Sequence, residues 1–193
     1  MARQTPNRQR AESLIEAIEA MGLDESYIPV NTHKRGYITK YYIQKLVKVY
    51  LWAKDMAREA EVMKSQLENI AYDTARGNAE RAYQVAMEFD IYMNTVGFAK
   101  LMAGIKKLDC KEELLDLATK TTYYRDPEAS DEAYESFFEL MNKVAGTDVH
   151  SEVSDYIPYD EEYEMVMEDL YEEGDNRLDY DYWSSNYDYD EYE

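Results

Sequence analysis

From Thr39 to about Arg76 the chain contains no Pro or Gly, and apolar residues fall at Tyr42, Leu46, Val49, Ala53, Met56, Ala60, Met63, Leu67 and Ile70. The intervals alternate between four and three without exception, which is a heptad seam on one long α-helix. At about 1.5 Å per residue such a helix is ~55 Å long. Ile43, Val47, Tyr50 and Ala57 lie beside the seam and widen it, so the helix buries a broad face; the apolar surface of Ile43, Val47 and Tyr50 off the seam calls for cover by a partner copy or by the shorter helix bearing Phe137 and Phe138. The pair Gly77-Asn78 interrupts the pattern, and Asn78 is suited to cap the next helix. A second 3-4 seam then runs through Ala82, Val85, Phe89, Tyr92, Val96 and Ala99 to Ala103. Two long helices joined by a tight corner predict an antiparallel hairpin.

Shorter elements flank it. Thr5 and Pro6 suit the cap and first residue of a helix carrying Leu14, Ile15, Ile18 and Met21, which Gly22 closes. Residues 23–38, with Pro29, Gly36 and the polar run Asn31 to Arg35, read as a loop. Asp109 is placed to cap a helix bearing Leu114, Leu115 and Leu117. Ser130 is placed to cap another bearing Tyr134, Phe137, Phe138, Met141 and Val144 up to Gly146, and Asp126-Pro127 between them reads as a turn. No useful run alternates with period two, so the expected class is all-α. Beyond Thr147 the composition changes. Tyr163, Val166, Met167 and Leu170 suit one or two amphipathic turns before Gly174, and from Asp175 Tyr alternates with acids in a low-complexity stretch expected to be disordered. The implied organisation is 1–38, N-terminal helix and basic loop; 39–108, hairpin for oligomerisation; 109–147, short helices; 148–193, acidic Tyr-rich tail.

Charge sharpens the last boundary. Residues 148–193 carry 18 Asp and Glu against the single cation Arg177, whereas residues 1–60 hold ten Lys and Arg against seven acids; the whole chain is at −20. A nearly neutral body with one anionic end should address two different partners. The 193 residues allow one core, placed in the first three quarters, because 9 of the 20 Tyr lie beyond residue 155. No apolar run suits a signal peptide or a membrane span, so a soluble protein of the cytoplasm, the host cytoplasm if viral, is expected.

Little in the sequence suggests catalysis. The two histidines, His33 and His150, have no triad context; there is no Gly-rich phosphate loop, H-E-x-x-H or C-x-x-C, and Cys110 is alone. Asp188, Asp190 and Glu191 lack the turn Gly and distal Glu of a calcium loop. The expectation is a non-enzyme without cofactor or metal. Binding chemistry has better candidates: Arg8, Arg10, His33, Lys34, Arg35 and Lys40, with Lys45 and Lys48 close by, could contact phosphates in a salt-sensitive, sequence-independent way. In the tail, Tyr180, Asp181, Tyr182, Trp183, Tyr187, Asp188, Tyr189 and Asp190 could dock in a basic groove, imitate the phosphates of DNA, or merely solubilise the chain.

Over residues 11–108 the chain resembles the small subunits of bacteriophage terminases. The resemblance rests on a short helix ending Glu19-Ala20-Met21-Gly22-Leu23, the start Gly36-Tyr37-Ile38-Thr39, the segment Tyr41 to Ile70, the corner Gly77-Asn78 and the returning helix to Ile105. It implies a homo-oligomer built by hairpin packing, DNA recognition, and a flexible end that engages the large motor subunit or another basic protein. Members of that family often carry more basic charge than this chain. The expected function is a non-enzymatic DNA-packaging adaptor. The alternatives are an acidic DNA-mimic inhibitor of a host DNA-binding or defence enzyme, and a phage scaffolding protein.

Overall fold

The computed structural model describes residues 6–33, 36–73, 79–123 and 125–172. All secondary structure among them is helical: α1 (Pro6–Ala20), a 3-10 turn (Glu25–Tyr27), α2 (Lys40–Asp73), α3 (Ala79–Val96), α4 (Phe98–Lys107), α5 (Lys111–Lys120), α6 (Pro127–Ala145), α7 (His150–Asp155) and α8 (Asp160–Glu172). No helix of the described residues is long and apolar enough to cross a membrane.

The 34-residue α2 is the axis of the molecule. Helices α1, α3, α4 and α8 pack along it. The seam is buried at Tyr42, Leu46, Val49, Ala53, Met56, Ala60, Met63 and Leu67. The first half of α2 buries far more than a seam, since Ile43, Val47, Leu51 and Trp52 are also removed from solvent. The off-seam apolar surface is therefore covered within the chain, which removes the reason it offered for a partner copy. Helix α6, with Phe137 and Phe138, packs instead on α3, α4 and α5. The second half of α2 is one-sided. There α3 runs back antiparallel, with Tyr83 against Tyr72 and Asp90 against Lys64.

The returning helix is not the single rod that its apolar spacing predicts. It breaks at Gly97, whose φ of 101° lies outside the range of a helix. Gly97 N–H still bonds Met93 O at 3.0 Å to finish α3, and Leu101 N–H bonds Gly97 O at 2.9 Å to begin α4. The end of α1 fits into this break. Gly22 N–H bonds Glu19 O and Leu23 N–H bonds Ile18 O, the two bonds of a Schellman cap on a left-handed glycine. The Gly22 and Gly97 backbones then touch, and Ala99 N–H reaches Met21 O at 3.2 Å. The periodicity survives the break because α4 remains against α2, so the pattern of apolar residues alone hides the change of direction.

Two other boundaries move. Asp126-Pro127 is not a free turn but the cap and first residue of α6: the Asp126 carboxylate accepts from Ala129 N–H at 3.1 Å. Ser130 is inside that helix, buried, and donates to Thr121 O at 2.8 Å. Cys110, not Asp109, occupies the cap position of α5, and Asp109 is left-handed at φ 50°. The acidic region also begins its structural life inside the fold. Val149 and Met167 are core residues, and α7 and α8 lie on α2, so residues 148–172 are not tail. Helix α8 is a single amphipathic helix of 13 residues rather than one or two turns.

Candidate nucleic-acid interface

Among the described residues, Arg8 and Arg10 lie in the first turns of α1 and Lys40 opens α2, and a hydrogen bond ties these two helix starts together. Thr39 caps that helix, its hydroxyl accepting from Tyr42 N–H at 3.1 Å. Asn7 in the first turn of α1 donates to Ile38 O at 3.4 Å, which brings α1's basic beginning to the same end. The preceding loop is closed by Asn31: its side-chain oxygen accepts from His33 N–H at 3.2 Å and its amide nitrogen donates to Tyr37 O at 3.1 Å. The His33 ring meets the Tyr37 ring edge-on at 5.6 Å. Lys34 and Arg35 fall between these anchors and lie outside the described residues.

The six candidate phosphate contacts are not equivalent. Arg8 is exposed but paired with Glu12 at 3.0 Å, one helical turn away. Arg10 is only 9 % exposed and donates to Asn7 Oδ1 at 3.3 Å. That guanidinium holds the residue that ties α1 to Ile38 before α2, and it leaves little surface for a phosphate. His33 is half-buried, while Lys40 is exposed. Of the two neighbouring lysines, Lys48 is occupied in donating to Ser154 O at 3.0 Å, so it fastens α7. Lys45 stays at the surface with its ammonium 4.7 Å from the centre of the Tyr41 ring, and Tyr41 is 66 % exposed. A cation over an exposed aromatic face is a geometry that suits both phosphate attraction and stacking. Sequence reasoning passes over Tyr41, although its i, i+4 spacing to Lys45, on the flank of the α2 seam, is a signal that could have found it. The tail candidates Tyr180, Asp181, Tyr182, Trp183, Tyr187, Asp188, Tyr189 and Asp190 lie outside the described residues.

Tertiary structure also supplies His150 with neighbours that its sequence position does not suggest. Its Nε2 lies 3.1 Å from Ser26 Oγ, and its ring stacks on Tyr27 at 4.0 Å with planes 9° apart. The trio of Ser26, His150 and Asp148 invites comparison with a catalytic triad, and the hydrogen bonds argue against one. Ser26 Oγ donates to the Asp24 carboxylate, so toward His150 it presents a lone pair rather than a proton to be removed. Asp148 accepts from the backbone N–H of His150 at 3.0 Å, not from its ring. The cluster is a clasp joining the α1–α2 loop to α7. Lys100 lies 3.8 Å from Asp24, and Lys107 donates to Asp148 O and, at 3.2 Å, to Ser151 Oγ. Bonds from Ser26 hold the Asp24 carboxyl below its ordinary range, and the bond from His150 N–H does the same for Asp148.

Among the described residues no group of three or more His, Cys, Asp or Glu is arranged to hold a metal ion. Cys110 is buried, and burial pushes its thiol up, the direction of an unreactive cysteine. Comparison with protein-family models, curated proteins and solved structures found no match.

Proposed function

We propose that this protein is a non-enzymatic adaptor that holds the phosphate backbone of DNA at the start of α2 and a basic partner protein through its acidic C-terminal segment. The observation that carries this reading is the partition of charge. Along the sequence, Arg8, Lys34, Arg35, Lys40 and Lys45 fall within the first 45 residues, while 18 acids against one cation occupy residues 148–193. The exposed Tyr41–Lys45 pair supports the first half of the proposal. Arg8, His33, Lys34, Arg35, Lys40 and Lys45 would contact phosphates, and Tyr180 to Asp190 would dock on the partner. A DNA-packaging adaptor of the terminase small-subunit type, whose partner is the large motor subunit, is the specific form that the resemblance in residues 11–108 favours. With Ile43 and Val47 covered within the chain, self-association rests on that resemblance alone.

Fluorescence anisotropy with a labelled duplex at 50 and 200 mM salt tests this reading. Binding should weaken steeply with salt, and a Lys34→Ala/Arg35→Ala/Lys40→Ala/Lys45→Ala variant should bind more weakly with a shallower salt dependence, by about one unit of slope for each phosphate that is no longer neutralised. No binding at 50 mM, or binding that ignores these changes, refutes it. A second reading is favoured by the burial of Arg10 and the pairing of Arg8 with Glu12, which subtract cations from the basic end. In it the protein is an acidic inhibitor that occupies the DNA groove of another enzyme. It predicts no DNA affinity, and competition with DNA for a basic target that is lost when the tail acids become amides.

A further inference from the structure

On the half of the molecule away from the basic end, α3 leaves an apolar stripe uncovered. Tyr83, Met87 and Ile91 recur every four residues, so they stand in one row along the helix, and they are 39 %, 64 % and 52 % exposed. Tyr72 of α2, 71 % exposed, continues the row across the helix pair, its ring 5.5 Å from that of Tyr83. Single exposed apolar residues are ordinary, whereas four in contact or in register make a continuous patch. Taking about 200 Å² for each residue fully exposed, the patch is on the order of 400 Å². The charges around it are mainly acidic. Glu61, Glu68 and Asp90 surround Lys64, which Asp90 binds at 2.6 Å. Glu80, one turn before Tyr83, is exposed as well. Three carboxylates thus surround one ammonium, and Glu80 adds a fourth farther along α3.

We propose that this face of α2 and α3 is a docking surface for a basic amphipathic helix of another protein. The apolar side of such a helix would cover Tyr72, Tyr83, Met87 and Ile91, and its Lys or Arg residues would reach Glu61, Glu68 and Glu80. Charge selects this occupant over a second copy. Two copies of the same face would bring four carboxylates against four, and the apolar patch alone is about half of the ~800 Å² that each partner contributes to a stable interface. The surface is separate from the candidate DNA contacts and stands or falls independently of them.

The test uses the full chain and a labelled 18-residue helical peptide of Leu and Lys, with a matched Leu/Glu peptide, by fluorescence anisotropy at 0.15 M salt. The Leu/Lys peptide should bind. Met87→Ser/Ile91→Ser should weaken it at least tenfold, Glu61→Gln/Glu68→Gln should weaken it severalfold and flatten its salt dependence, and Met87→Leu/Ile91→Leu should restore it. The Leu/Glu peptide should not bind. Equal affinity of the native chain and the Met87→Ser/Ile91→Ser variant would place the peptide on the C-terminal acids and overturn the proposal. So would sedimentation showing a dimer of the native chain that these two substitutions abolish, since the face would then belong to a second copy. Circular dichroism of each variant verifies that the helices remain.

Discussion

Replacing Gly97 by alanine separates the two reasons a glycine stands there. A side chain at φ 101° costs about 1–3 kcal/mol by itself. The added Cβ would also lie 2.6 Å from Gly22 Cα and 2.8 Å from Gly22 C, and closer still to Gly22 O. Carbon atoms in ordinary contact are about 3.5–4.0 Å apart, and all three obstructing atoms are backbone, so no rotamer change relieves the clash. The end of α1 has to withdraw from the α3–α4 break by about 1 Å, which strains the Ala99 N–H to Met21 O bond and opens the packing around it. Overpacking of this kind costs about 1–3 kcal/mol and the hydrogen bond about 1 kcal/mol. The expected loss for Gly97→Ala is therefore about 3–7 kcal/mol, a large part of the stability of an ordinary domain. Gly36 provides the control, because its φ is +68° and a Cβ there meets nothing within 4 Å. Gly36→Ala should lose only the conformational cost, about 1–2 kcal/mol. Urea unfolding followed by circular dichroism at 222 nm, with the slope against denaturant checked for constancy, measures both. Equal losses in the two variants would refute the claim that contact between Gly22 and Gly97 fixes the bend.

Tyr156 donates to the Asp55 carboxylate at 2.5 Å, and burial first, then that bond, raises its phenol above the ordinary value. Tyr156→Phe should cost about 1–2 kcal/mol at pH 7 by urea unfolding. Because the fold holds the neutral phenol, this contribution is complete below about pH 10 and fades as pH rises beyond it, so the alkaline loss of stability should be smaller in the Phe variant. Met167→Ala should destabilise by about 2–4 kcal/mol, since Met167 is buried in the core although it lies in the acidic region; a loss under about 0.5 kcal/mol, the range of a surface substitution, would show that α8 is not part of the cooperative unit. Asp24, held low by its bonds from Ser26, contributes stability above its unfolded value near 4, and that contribution is lost as pH falls through its lower folded value. Melting temperatures at pH 7 and pH 3 should therefore differ less in Asp24→Asn than in the native chain.

The helical class, the run of α2 from Lys40, the start of α1 at Pro6 and its close at Gly22 are written in the chain because each depends on residues within one or two turns of each other; the cap read at Thr5 lies outside the described residues. A 3-4 apolar spacing, a proline at a first helical position and a glycine free to turn left-handed are local requirements, visible without knowing the fold. Spacing records only that a side chain is buried, not what buries it. That is why Val96 and Ala99 continue one seam in the sequence while belonging to two helices that diverge at Gly97, and why Ile43 and Val47 suggested a partner although neighbouring helices of the same chain enclose them. The same limit applies to function. Arg8, Arg10, Lys45 and Lys48 carry identical charge, and only packing distinguishes the buried guanidinium bonded to Asn7 and the ammonium bound to α7 from the ammonium left over Tyr41. Charge is a property of each residue and can be read along a chain; exposure is decided by which distant segments come to rest against it, and that is a property of the folded molecule alone.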